Sequence, residues 1–418
     1  MSISRRPRRR RIRQFRSCAE RPGVSPPDPQ DISVKKKGQG IVDRLAFYRQ
    51  DLGALEAAAR LRGLTPRRGV DFSSNDYLGL AQSARLRAAI AGALERGVPV
   101  GAAGSRLLRG ETEDQTAFEA AAAGFFGAEA ALGFGGGYVA NFAVITTLPQ
   151  RGDLLLMDAL SHASTHEGAQ AGRAEVATFR HGDAGHAEDV ITTWRRGGGT
   201  GAVWIAVESL YSMDGDRAPL DDLMGLADAH GFLMVDEAHA TGVFGPGGRG
   251  LAHHLEGRDN VVTLHTLGKA LGGSGALICG ARVLIDFLVN RCRPFIFATA
   301  PSPLMAVAGQ EALAILQDEP WRQAALQERV ALFGAEMGRR LPQVPLSGSQ
   351  IVPLIVGPDA ATMDLAAQVQ ARGLDVRGIR PPTVPEGTSR LRVSLTLNAL
   401  EAEVIRLVEV LEELWPDL

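Results

Sequence analysis

Five short apolar runs, at residues 154–157, 202–207, 232–235, 261–264 and 276–279, recur along the middle of the chain with helix-length segments between them. Runs this short and this uniformly apolar read as strands buried on both faces. Spaced by helical connections, they predict a mostly parallel α/β sheet with crossover helices. Upstream, apolar residues at Ile41, Leu45, Phe47, Leu52, Leu55 and Leu61 predict a lead-in helix that Gly63 stops. Alanine-rich helices are expected over 85–96 and 115–126, flanking a glycine-rich loop at 101–110. Beyond Pro301 the pattern changes to long Ala/Leu/Glu helices, then a strand near 351–356, a helix near 364–372 and a strand near 391–395. The expected organisation is a basic disordered tail at 1–40, a lead-in segment at 41–90, a large α/β domain at 91–300 and a small α+β domain at 301–418.

Composition narrows the class of protein. At 418 residues with 45% hydrophobic and 22% charged residues, the chain can bury a large core. The formal net charge of -2 conceals a segment, residues 1–37, with nine Arg and three Lys against three acids, and a remainder with 33 basic and 44 acidic residues. A body at -11 is a poor match for nucleic acid. The tail lacks an amphipathic face and an apolar h-region, which argues against a transit peptide and excludes a secretory signal. No stretch approaches the roughly 18 apolar residues of a membrane span, so no membrane partner is expected. Cys18, Cys279 and Cys292 are odd in number and lack CxxC spacing, against a disulfide framework and a zinc ribbon. No histidines stand at metal-ligand spacing, and a reducing, cytoplasmic setting is expected.

Lysine usage points to chemistry. The chain has four lysines, Lys35, Lys36, Lys37 and Lys269, so the body retains one. Arginine serves most surface roles of a basic residue but cannot form a Schiff base, which makes Lys269 a candidate nucleophile. It lies in a small-residue loop, Thr266-Leu-Gly-Lys269-Ala-Leu-Gly-Gly, directly after a predicted strand. Asp236 ends another strand in Phe232-Leu-Met-Val-Asp236-Glu-Ala-His239, where it is either a helix cap or the acid that keeps a pyridine nitrogen protonated. Gly133-Phe-Gly135-Gly136-Gly137-Tyr138 reads as a phosphate cradle at a helix start, with Tyr138 placed to cover a ring. His162, just after a strand, is a candidate for stacking on that ring. The Asp236-Glu-Ala-His239 string also matches a helicase box, but the GxxxxGK[ST] loop that such an enzyme needs is missing, since Ala270 follows Lys269.

These strings, together with Phe72-Ser-Ser-Asn75-Asp-Tyr-Leu-Gly-Leu80, Gly104-Ser-Arg-Leu-Leu-Arg-Gly110, Leu160-Ser-His162-Ala-Ser164 and Ser212-Met-Asp-Gly-Asp216, resemble the α-oxoamine synthases in residue and order over 41–418. That family comprises pyridoxal 5'-phosphate acyltransferases of the aspartate-aminotransferase fold type, fold type I, which condense an amino acid with an acyl thioester and lose carbon dioxide. The resemblance implies Lys269 as Schiff-base lysine and proton shuttle, Asp236 on the pyridine nitrogen, His162 on the ring, and Ser212 and His239 at the phenolic oxygen. It implies Gly137, Tyr138 and Thr266 near the phosphate, and Asn75 and Arg392 at the substrate carboxylate. Thr299 would reach the phosphate of a neighbouring subunit, implying a homodimer with shared sites. The string Arg380-Pro-Pro-Thr383-Val-Pro385 most resembles the branch of biotin synthesis that joins L-alanine to a pimeloyl thioester, carried by coenzyme A or by acyl carrier protein. There Arg380, Thr383 and Arg62 would contact the acyl substrate. The alternative is a glycine-using branch, such as 5-aminolevulinate synthase or 2-amino-3-ketobutyrate CoA ligase. Gln115, Ala240 and Ala300 depart from the family's usual residues.

Overall fold

The computed structural model describes residues 43–415, so the expected basic tail at 1–40 lies outside the described residues. Two compact units are distinguished, one ending at Leu52 and one running from Gly53 to Leu418. The lead-in helix forms over Ala46–Ala57 and buries none of its side chains.

The larger unit is built on twelve strands: β1 (Val70–Asp71), β2 (Ala130–Phe134), β3 (Leu154–Asp158), β4 (Glu175–Phe179), β5 (Val203–Glu208), β6 (Gly231–Asp236), β7 (Val261–Thr266), β8 (Ala276–Gly280), β9 (Ile351–Gly357), β10 (Leu374–Asp375), β11 (Arg377–Ile379) and β12 (Ser389–Ser394). Seven form one sheet in the order β2-β8-β7-β6-β5-β3-β4. Strands β4, β3, β5, β6 and β7 run parallel, and β8 and β2 are antiparallel to their neighbours. The apolar runs are continuous because both faces are covered. Trp204, Ala206, Met234 and Leu264 pack on one side with Ala140, Val144 and Ile285 from helices, while Val203, Ile205, Val207, Leu233 and Val235 pack on the other with Ile191, Leu223 and Ala227.

The five expected strands are β3, β5, β6, β7 and β8; β2 and β4 are additional. β4 is a mostly exposed edge strand and lacks the apolar run, and the Ala-Ala-Leu-Gly-Phe of β2 reads as a continuation of the alanine-rich helix before it. That helix, Glu113–Phe126, is ended by Gly127 in the left-handed region at φ 75°.

Strands β11, β12 and β9 form an antiparallel sheet that shares a core with Phe333, Met337, Leu365, Val404 and Leu407 of the C-terminal helices. β1 pairs with β10, and the Ser394 N–H bonds the Phe72 carbonyl at 2.8 Å, so residues 70–77 lie against this smaller sheet. The helix Pro303–Asp318 instead packs through Ala312, Leu313 and Leu316 with Leu86, Phe118 and Phe126. Among the described residues no helix is long and apolar enough to cross a membrane.

One polar cluster ties the loops at the carboxyl edge of the large sheet. Asp158, fully buried at the end of β3, accepts the Leu160 and Gly182 N–H groups and faces His181 Nδ1 at 2.9 Å. The other ring nitrogen of His181 meets Asp216 at 2.8 Å, and the edge of Tyr211 packs on the imidazole. The Asp158 hydrogen bond first, then the Asp216 bond, push the imidazolium up to about 10. Burial raises the Asp158 carboxyl, but its bonds to His181, Gly182 and Leu160 outweigh that and hold it below the usual range. A histidine whose folded pKa is raised stabilises fully below its unfolded value near 6.5 and loses that contribution as pH climbs through about 10. We therefore expect His181→Gln to lower unfolding stability by about 1–3 kcal/mol at pH 6. In denaturant melts the gap to wild type should narrow between pH 6.5 and 10; a gap that widens over that range would contradict the clamp.

Candidate active site

In a parallel sheet the loops after the strands share one edge, and ligands bind there. His162 follows β3, Ser212 follows β5, Asp236 ends β6 with His239 after it, and Thr266 ends β7 with Lys269 after it. All of these but Ser212 line a cavity of about 270 Å³, together with Gly135, Gly136, Gly137, Tyr138 and Glu208.

Lys269 Nζ lies 2.8 Å from His239 Nε2, and His239 Nδ1 lies 2.7 Å from the Tyr77 hydroxyl. That hydroxyl reaches Asn75 Oδ1 at 3.0 Å, where Arg392 Nη2 also arrives at 3.2 Å. A single set of donors satisfies the line: Lys269 to His239, His239 Nδ1–H to Tyr77, Tyr77 O–H to Asn75, and Arg392 to the same Asn75 oxygen. Burial, then Lys269, Arg392 and His162, hold the His239 imidazole well below its usual value, so it is neutral, as the line requires. Burial lowers the Lys269 amine to about 8, with Asp236 and Glu208 opposing and Arg392 assisting. An amine poised there accepts a proton near neutral pH.

Asp236 is held by two donors. Ala238 N–H reaches Oδ1 at 2.9 Å and Asn141 Nδ2 reaches Oδ2 at 3.1 Å. The same Asn141 amide nitrogen donates to Ser164 Oγ at 3.0 Å, and that hydroxyl bonds His162 Nδ1 at 2.7 Å. One amide thus orients both the acid and the imidazole. Ser164 lies inside a string quoted from the sequence without a role and Asn141 three residues beyond another; the signal for Asn141 is spacing, since it stands one helical turn beyond Gly137.

The helix Gly137–Thr147 opens with no side-chain cap, and its first intrahelical acceptor, the Gly136 carbonyl, serves the Ala140 N–H. The N–H groups of Gly137, Tyr138 and Val139 therefore have no intrahelical acceptor and face the end that attracts an anion. A Cβ on Gly137 would meet Thr266 Cγ2 at 2.7 Å, whereas Cβ atoms on Gly135 and Gly136 would enter open space. The Tyr138 ring stands edge-on to His162 with centroids 6.2 Å apart, and its hydroxyl bonds Glu167. A helix-end cradle, an acid across the cavity, an imidazole at its wall and an amine lowered to about 8 fit pyridoxal phosphate. Lys269 would carry the aldehyde carbon, Asp236 the pyridine nitrogen, and Gly137, Tyr138 and Thr266 the phosphate.

The remaining candidates divide. Arg392 is buried, and its Nε donates to the Ser212 carbonyl at 2.6 Å, so Asn75, Ser212 and Arg392 do meet beside the cavity. Arg62 Nη2 lies 3.4 Å from Thr383 Oγ1, and Arg380 bonds the Ala59 carbonyl; this group does not line the Lys269 cavity. Burial and the nearby Arg62 lower the Arg380 guanidinium. Thr299 is exposed and does not line the cavity of its own chain. Gln115 donates to the Pro301 carbonyl at 2.8 Å, which pins the segment after Thr299, and Ala300 packs where a Cβ on Gly110 would come within 2.6 Å. Ala240 is fully buried in the core. Among the described residues no group of His, Cys, Asp or Glu could hold a metal ion.

Comparison with known proteins agrees with this geometry. The model of the family "Aminotransferase class I and II" matches residues 67–411. The 8-amino-7-oxononanoate synthase of Anaeromyxobacter dehalogenans (strain 2CP-1 / ATCC BAA-258) is 41% identical over 383 residues, 88% of this chain and 95% of that protein. Among solved structures, the 8-amino-7-oxononanoate synthase of Francisella tularensis aligns with a TM-score of 0.70 and 26% identity, covering 82% of this chain and 97% of that one. A serine palmitoyltransferase from S. paucimobilis, bound to pyridoxal phosphate and myriocin, aligns with a TM-score of 0.78 and 25% identity over 89% and 98% of the two chains. The chain belongs to the aminotransferase class I and II family, within its α-oxoamine synthase branch.

Proposed function

We propose that the protein is a pyridoxal-phosphate acyltransferase that performs the 8-amino-7-oxononanoate synthase reaction of biotin synthesis, in the cytoplasm. L-alanine and a pimeloyl thioester, of coenzyme A or acyl carrier protein, would give 8-amino-7-oxononanoate, the free thiol and carbon dioxide. The carrying observation is the one body lysine at the cavity wall, with its amine lowered to about 8 and Asp236 held ready by two donors. The choice of substrate rests on the 41% identity spanning nearly all of a synthase of that name and on the Arg380-Pro-Pro-Thr383 string.

When bound, pyridoxal phosphate supplies an electron sink for charge that develops on the amino acid's α-carbon. The chain's own residues do the rest. Lys269 takes and returns the α-proton at Nζ, and His239, neutral and 2.8 Å away, holds that amine in place. Asp236 keeps a proton on the pyridine nitrogen, and the helix Gly137–Thr147 holds the phosphate at its N-terminus. Arg392 and Asn75 hold the α-carboxylate and so fix which bond at the α-carbon is presented. Arg62, Arg380 and Thr383, grouped away from the amine, would grip the acyl donor.

A homodimer with shared sites is part of the proposal. Leu107, Leu108 and Phe297 expose large apolar surface, 82% of Leu108 among them, and the exposure of Thr299 away from its own cavity supports this reading.

Purified protein given L-alanine and pimeloyl-coenzyme A should release thiol and form the 8-amino-7-oxononanoate mass, with glycine and serine slower; faster thiol release with glycine would move the chain to the glycine-using branch. Lys269→Ala should cost about 10³-fold or more. Asn141→Ala should lower kcat by about 10-fold to 100-fold through misplacement of Asp236 and His162; wild-type turnover in that variant would show that the amide orients nothing that matters. Leu108→Asp should shift sedimentation toward the monomer and lose turnover in parallel, and an active monomer would refute sharing of the sites.

A further inference from the structure

Glu208 is a buried acid for which the reaction above has no use. It ends β5 directly opposite Asp236, which ends β6, in parallel register. Their backbones thus stand on neighbouring strands about 5 Å apart, and both residues line the cavity that holds Lys269. They are not equivalent. Asp236 accepts from Ala238 and Asn141, whereas Glu208, 3% exposed, accepts the Ser212 N–H on Oε2 at 3.1 Å and leaves Oε1 buried with no partner.

Adjacent carboxylates do not both ionise readily, and the proton settles on the more buried one with fewer donors, Glu208. Burial first, then Asp236, push Glu208 up to about 8 against the pull of Lys269 and Ser212. The other titratable or charged groups around the site are His162, His239 and Arg392. An unpartnered buried carboxyl oxygen costs stability unless a ligand completes it.

We propose that Glu208 is a binding residue of this pocket, an uncharged acid whose Oε1 donates a hydrogen bond to an anionic oxygen of the bound cofactor and amino acid. That oxygen is either the phenolic oxygen of the cofactor or the α-carboxylate of the substrate. The inference rests on pyridoxal phosphate occupying this cavity and is independent of the acyl donor.

The test compares wild type, Glu208→Gln and Glu208→Ala without any acyl donor. The infrared difference spectrum of the cofactor-free proteins at pH 7 should show a protonated carboxylic acid in wild type that Glu208→Gln lacks. Affinity for pyridoxal phosphate, read from its visible absorption, should stay within about 3-fold of wild type in Glu208→Gln, whose amide is uncharged and can donate, and fall by about 10-fold to 100-fold in Glu208→Ala. A loss with cofactor alone identifies the phenolic oxygen, and a loss only with L-alanine added identifies the carboxylate. The proposal is overturned if the acid band is absent, if Glu208→Gln is as weak as Glu208→Ala, or if Glu208→Ala binds like wild type in both arms. Should Glu208→Ala not fold, the infrared band and the affinity of Glu208→Gln decide. Wild type that takes up no cofactor would overturn the cofactor assignment along with this inference, whereas normal uptake with an unaffected Glu208→Ala overturns this inference alone.

Discussion

The line of hydrogen bonds from Lys269 through His239 and Tyr77 to Asn75 and Arg392 is the interaction on which the rest of the site depends. It begins in the loop after β7, crosses the loop after β6, and ends on β12 in the other sheet. Lys269, His239 and Tyr77 each donate to the next, Asn75 Oδ1 accepts from both Tyr77 and Arg392, and the line works only if His239 is neutral, which its burial beside Lys269 and Arg392 ensures. Arg392 also grips the Ser212 carbonyl, so the loop after β5 is drawn into the same arrangement. Proton inventory and domain contact are therefore one problem in this molecule. A side chain that changed the charge of His239 would disturb both.

Much of this was legible in the residues. The five apolar runs became central strands because strands buried on both faces need no alternation, and the lone lysine of an arginine-rich body lies at the cavity wall. The acid, the imidazoles and the glycine cradle followed from their places just after strands, where a parallel sheet gathers its loops. What stayed hidden was pairing at a distance. Nothing in Asn141 predicts that one amide will hold both Asp236 and, through Ser164, His162, because those partners come from two separate segments, the end of β6 and the turn after β3. Tyr77 was similarly opaque: its string was recognisable, yet its hydroxyl finds His239 across 162 positions of sequence. Glu208 reads as the polar end of an apolar strand, and only the register that sets it against Asp236 makes it unusual. The edge strand β4 escaped for the opposite reason, since it has too little buried surface to impose a pattern, while β2, though buried, is masked by the alanine-rich helix it follows.

The two sheets also differ in how they fix their contributions. The large sheet offers short loops from consecutive parallel strands, so the positions of Asp236, Thr266 and Lys269 follow from register alone. The small sheet offers Arg392 from within a strand and Asn75 from the segment that β1 clamps to β10. The two frames are joined by the buried polar line, by Gln350 Nε2 on the His239 carbonyl at 2.8 Å, and by Arg390 on Asp214 and the Met213 carbonyl.

The approach of Gly137 to Thr266 sets a different kind of limit. Hydrogen bonds to a phosphate stretch by tenths of an ångström at small cost, but a γ-methyl against a Cα does not compress, and a Cβ there would already stand at 2.7 Å. The mouth of the cradle is therefore gauged by a hard stop between the first residue of a helix and the last residue of a strand. Such a stop keeps its width when the polar groups around it exchange partners, so the anchor end of the cofactor can stay put through a cycle of proton transfers that reorders nearly every hydrogen bond at the other end.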